Sequence, residues 1–160
     1  SFLAPILYFP SRLVSGYLSG EAPGLAPMIP ELEHTLEHHP ATVKRANDAG
    51  VPIVVGDDFG FGSLMPHGDY TKELAVYPDL CGVSNLDVIR WATHNGAALQ
   101  GRLHELGTVA EGKLADLLVV DGDPSKDLRV LQDRDNLKAI IKGGEFVKST
   151  LDQQTEGVAA

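Results

Sequence analysis

Residues 51–60 read Val51-Pro52-Ile53-Val54-Val55-Gly56-Asp57-Asp58-Phe59-Gly60. An apolar run rich in β-branched residues passes directly into Gly-Asp-Asp, with another glycine close behind. Such a run, bounded by Pro and Gly, predicts a strand buried on both faces, as in a parallel sheet. Carboxylates at the carboxyl end of such a strand stand where α/β barrel enzymes place their chemistry. A second reading is open at this point: Asp57 and Asp58 cap a following turn or helix. Successive strand residues point to opposite faces, so only one aspartate of the pair is expected on the chemical side.

Upstream, Glu31–His39 has helical spacing, with Leu32 and Leu36 at i and i+4. Pro40 is expected to interrupt it. Ala41–Ala49 then resumes a helix that buries Val43, Ala46 and Ala49, and Gly50 supplies the left-handed stop. Ser1–Phe9 reads as a short buried strand broken by Pro5. Pro10–Pro30 is crowded with Pro and Gly and reads as a long loop with a helical turn near Leu13–Leu18. The order helix, glycine, buried strand, aspartate is that of a parallel βα unit.

Downstream, the glycine-rich segment Phe59–Pro66 leads to His67. Asp69–Tyr77 is a predicted helix with Tyr70, Leu74 and Tyr77 on one face, ended by Pro78. Ser84 and Asp87 form a capping box for the next helix, whose packing stripe is Val88, Ile89, Ala92 and Gly96. From Gly107 the period changes. Gly107–Val109 and Leu114–Val120 read as short strands, and 136–142 and 145–147 flank Gly143-Gly144 as a hairpin. The pattern changes between Gly101 and Leu106. Leu151–Ala160 is polar and expected to fray.

Composition bounds the function. A hydrophobic content of 43% and a charged content of 22% are those of a globular chain. The formal charge of −9 argues against nucleic acid as a partner, because nothing offsets phosphate repulsion. No apolar run reaches the ~20 residues of a membrane-crossing helix. The single cysteine, Cys81, excludes an intrachain disulfide and suits a reducing, cytoplasmic setting. Between Leu80 and Gly82 it reads as a buried small residue rather than a nucleophile. The chain starts at Ser1, not Met, and is expected to begin mid-protein or after processing.

Two histidine features carry competing readings. His34-Thr35-Leu36-Glu37-His38 matches the H-x-x-E-H pattern of inverted zinc peptidases, with a solvated helix face as the alternative. His67 follows the glycine-rich loop and is either a substrate contact above the strand exit or a loop residue bonded to local backbone. Ser63 and Ser84 lack the strand–turn–helix elbow of a serine nucleophile.

Several motifs occur in one order: Gly56-Asp57-Asp58; Pro66-His67-Gly68; Ala92-Thr93-His94-Asn95-Gly96-Ala97; Leu106-Gly107-Thr108-Val109-Ala110-Glu111-Gly112-Lys113-Leu114-Ala115-Asp116-Leu117; Val120-Asp121-Gly122-Asp123-Pro124; Ile141-Lys142-Gly143-Gly144. This order resembles the C-terminal portion of a metal-dependent amidohydrolase, of the imidazolonepropionase-like or prolidase-like kind, over roughly residues 1–148.

The resemblance implies an α/β fold: the last part of a (β/α)8 barrel, about two βα units, followed by a small β-sandwich-like C-terminal domain. It implies a barrel portion over 1–104, a small β-domain over 105–150 and a tail over 151–160. It also implies a hydrolase acting on the C–N bond of an amide, cyclic amide or dipeptide-like small molecule. Asp58 falls on the family aspartate that binds a metal and shuttles the proton. Asp57 departs from the family's usual threonine. The implied cofactor is one or two divalent ions, zinc first, held mostly by residues outside this chain. The family's other ligands, a His-x-His pair, a modified lysine and two further histidines, have no matching position. Implied partners are the amide substrate, the rest of the barrel and, for the assembled protein, further copies of itself. A non-catalytic assembly module of the same fold is the alternative from a different class. Thr93, Asn95, Gly112 and Asp116 are expected to be structural.

Overall fold

Tyr8–Leu18 forms α1 in the computed structural model, which describes residues 1–151. The helix replaces the first part of the loop expected over Pro10–Pro30, extending the helical turn expected near Leu13–Leu18. Pro10 does not break it, because it lies in the first turn, where the backbone N–H has no helical partner in any case. A 3-10 segment, Pro23–Met28, then leads into α2, Ile29–Asp48. α2 is continuous, contrary to the interruption expected at Pro40. Pro40 is buried with Ile29, Leu32 and Val43 on the inner face, so packing offsets the one lost helical hydrogen bond. Gly50 has φ +72° and its N–H bonds Asn47 O, ending the helix as expected.

The segment expected as the central strand makes a single parallel bridge, Leu3 to Ile53. Leu3 N–H donates to Pro52 O and Val54 N–H donates to Leu3 O, both at 2.9 Å. The pairing stops there because Pro5 has no N–H to donate and the chain turns into α1 at Tyr8. The direction is nonetheless parallel, and Ile53 and Val54 are buried.

The chain continues with α3, Thr71–Cys81, and α4, Asn85–Arg90. Pro78 lies inside α3 and does not end it. Gly82 ends it, at φ +65°. Ser84 caps α4 as expected: its Oγ accepts the Asp87 N–H at 3.1 Å and donates to the Asp87 carboxylate. A π-type turn, Trp91–Asn95, widens the helix before α5, Gly96–Leu99. Leu7, Val43, Ile53, Tyr77, Cys81, Val83, Val88, Trp91 and Leu128 form the main core. A second cluster, Leu13, Leu25, Ile29 and Leu32, lies between α1 and α2.

Gly107–Val109 is not a strand. The loop wraps the Lys113 ammonium, which donates to Leu103 O, Leu106 O and Thr108 Oγ1. β1 (Leu117–Val120), β2 (Leu137–Lys142) and β3 (Glu145–Ser149) form one antiparallel sheet in that order. Gly143 and Gly144, with φ +59° and +88°, make the expected hairpin turn. The Asp116 carboxylate ties this turn down by accepting from Lys142 Nζ and Gly143 N–H. A sandwich requires two sheets; among the described residues there is one, of three strands. The tail expected over 151–160 lies outside the described residues beyond Leu151.

Candidate functional site

The backbone turns sharply where the parallel segment ends. Asp58 has φ +55°, the one positive φ at a non-glycine residue in the described chain. Asp tolerates the left-handed region better than most residues, at a cost of about 1 kcal/mol. The turn sends the two aspartates to different places. The half-buried Asp57 accepts the Phe59 N–H on Oδ1 at 3.1 Å and lines a groove with Val54, Tyr70 and Trp91. The exposed Asp58 lines an open, mostly apolar cavity with Leu3, Ile6, Leu32, His39 and Val43. The separation expected from strand alternation is therefore present, but a left-handed kink rather than an extended strand produces it.

Four contacts hold this kink. The Asn95 side chain donates to Ile53 O at 2.7 Å, fixing the segment from the π-type turn. Phe59, immediately after Asp58, is buried, stacks on Tyr8 at 5.4 Å with near-parallel rings, and meets Tyr70 edge-on at 5.5 Å. Gly60 N–H then bonds Met65 O at 2.9 Å, closing the glycine-rich loop. His67 returns over this loop: a Cβ built on Gly60 would lie 2.7 Å from its Nε2. Its Nδ1 is 3.2 Å from the Tyr70 hydroxyl. His67 thus packs beside the residues that follow Asp58.

The sequence did not point to Glu73, whose side chain is fully buried. The helical face expected from Tyr70, Leu74 and Tyr77 is rotated in the structure: Tyr70 is exposed, and Glu73, Ala75, Tyr77 and Cys81 are buried. Glu73 accepts the Leu7 and Tyr8 N–H groups, each at 2.8 Å, so it caps the start of α1 from another helix. Four residues on, the Tyr77 hydroxyl donates to Pro5 O at 2.6 Å. Together they clamp residues 5–8 beside the strand exit. Burial pushes the Glu73 carboxyl up to about 7, against the pull of the two N–H groups. Burial also raises the Tyr77 phenol, and Glu73's charge adds to it. The Cys81 thiol is pushed up to about 11 by burial, which suits packing and not nucleophilic attack. The signal for Glu73 was an acidic residue one turn before Tyr77, on the helix whose other buried positions are Ala75, Tyr77 and Cys81.

Asp58 fits a cation by its donor chemistry. It is an exposed carboxylate at a cavity wall, and none of the side-chain hydrogen bonds among the described residues involves it, in contrast to Asp57. One carboxylate is not a complete coordination set, so other donors would have to come from outside this chain. Among the described residues the His/Cys/Asp/Glu group with ligand atoms close together lies elsewhere: His34, Glu37 and His38, all exposed on α2.

A family model described as "Amidohydrolase family" matches residues 12–147. The chain is 28% identical over 146 residues to an ochratoxinase from Aspergillus niger, covering 89% of this chain and 29% of that protein. It is 37% identical over 95 residues to an imidazolonepropionase from Pyrobaculum arsenaticum, covering 59% and 23%. The crystal structure of a Xaa-Pro dipeptidase with bound methionine superposes with a TM-score of 0.65 at 26% identity, covering 93% of this chain and 35% of that one. The chain thus spans about a third or less of the length of these relatives. With the family match running from α1 through β3, the chain belongs to the amidohydrolase family.

Proposed function

We propose that the chain is the C-terminal part of a metal-dependent hydrolase acting on a C–N bond of a small amide, cyclic amide or dipeptide-like substrate. Residues 1–104 are about its last two βα units, and 105–150 a small β-domain. The observation that carries this reading is Asp58 at the exit of a buried segment paired in parallel, facing a cavity. The presence of an imidazolonepropionase and a Xaa-Pro dipeptidase among the relatives supports the substrate class.

In this reading Asp58 is one ligand of a divalent ion, zinc first, whose other donors come from polypeptide outside residues 1–160. Held there, such an ion would supply Lewis acidity toward the scissile carbonyl and a more acidic attacking water. Asp58 accepts the water's proton and passes it to the leaving amine. The left-handed kink and the Phe59 stack fix the backbone that carries Asp58, and His67 contacts the substrate from the loop above.

The test is Asp58→Asn in the longer protein that carries the upstream ligands, assayed on dipeptide and cyclic amide substrates. General acid–base removal costs about 10²–10⁴-fold in turnover, with thermal stability unchanged. Turnover within a few-fold of wild type removes Asp58 from the mechanism. A stable folded chain that is inactive in every such context favours an assembly role.

A further inference from the structure

We propose that His34, Glu37 and His38 form a second, surface metal site on α2, separate from Asp58, for a divalent transition-metal ion such as zinc, nickel or copper. His34 and His38 are one helical turn apart, their ring centroids 4.2 Å from each other and tilted by 33°. One ligand atom from each of the three side chains lies within 4.8 Å of the others. Cis ligands around a metal with ~2.0–2.1 Å bonds sit somewhat closer than this, within reach of small χ rotations of exposed side chains.

The helix prepares the site in two ways. First, the histidines project from the middle of a 20-residue helix, so the backbone that spaces them is already fixed and only side-chain rotamers are lost on binding. Second, the His38 Nδ1 lies 2.9 Å from His34 O. A carbonyl only accepts, so Nδ1 carries the hydrogen and Nε2 keeps its lone pair for a metal. A ligand histidine oriented by a backbone carbonyl on its other nitrogen is a recurrent arrangement in metal sites.

The donor set selects the ion class. Two imidazoles and one carboxylate suit zinc, nickel and copper, whereas calcium and magnesium require mostly oxygen donors. Three protein donors leave open coordination positions for water or an external ligand. Exposure of all three side chains gives no cleft for a peptide, so the reading is of binding, not peptidase chemistry. The formal charge of −9 favours cation binding.

The test uses the full chain carrying Asp58→Asn, which removes the other candidate donor. Titration with zinc sulfate, followed by calorimetry, is expected to give one ion per chain. His34→Ala and His38→Ala should each weaken binding at least tenfold, and Glu37→Gln by a few-fold. Magnesium and calcium should give no binding. Copper(II) spectra are expected to report two nitrogen ligands, reduced to one in either histidine variant. Absence of zinc binding, or equal binding by the His34→Ala/His38→Ala double variant with unchanged helix content, overturns the site. Neither outcome touches the Asp58 proposal, which is judged by turnover.

Discussion

Replacing Glu73 by Gln separates the two forces acting on this buried carboxyl. Burial raises it from 4.5 to about 7, while the Leu7 and Tyr8 N–H groups favour the charged form. At about 1.4 kcal/mol per pH unit, that displacement corresponds to ~3 kcal/mol. The folded state holds the proton more tightly than the unfolded state. Glu73 therefore contributes its full stabilisation below about pH 4.5, and that stabilisation is lost as pH rises toward 7. Glutamine does not titrate, and its amide NH₂ faces one of the two backbone donors, a mismatch costing about 1–3 kcal/mol. Urea unfolding of both proteins, followed by circular dichroism from pH 4.5 to 7.5, isolates the effect, because exposed carboxylates cancel in the difference. The penalty of Glu73→Gln should be largest at the acid end and shrink by ~3 kcal/mol by pH 7. A penalty that is flat, or that grows with pH, would mean the carboxyl is ionised throughout and that the amide hydrogen bonds, not burial, set its state.

Two further substitutions test how the strand exit is built. Gly60→Ala is expected to cost about 1–3 kcal/mol, because φ +116° is open essentially to glycine alone; adding His67→Ala should not restore stability in urea unfolding, since the ring can swing aside but the backbone strain stays. Trp91→Ala should cost about 3–5 kcal/mol by the same assay, as the indole is 1% exposed and packs edge-on against Tyr77 at 5.4 Å.

Local signals were legible where a short stretch of chain decides the outcome. Ser84 and Asp87 capped their helix as read, Gly50 stopped α2, and Gly143-Gly144 turned the β2–β3 hairpin. Each depends on dihedral preference or on a side chain reaching its own neighbours. The family, too, was legible, because its motifs are spread along the chain in a fixed order.

Prolines misled, and for one reason. Pro40 and Pro78 read as breaks and Pro10 as the start of a loop, yet all three lie inside helices. Pro10 forfeits nothing in a first turn, and Pro40 is buried with the core face of α2; whether a proline ends a helix depends on what the helix packs against. The same limit hid Glu73. From sequence alone Asp57 and Asp58 marked a strand exit, and the i, i+4 spacing of His34 and His38 marked one helix face. Only the tertiary structure decided that a left-handed turn at position 58 parts the two aspartates, and that a carboxylate from α3 caps α1 across a separation of more than sixty residues. Side-chain period and local dihedral preference are written in neighbouring residues. The burial of a charge against distant backbone amides is set by how helices pack, and no local window contains it.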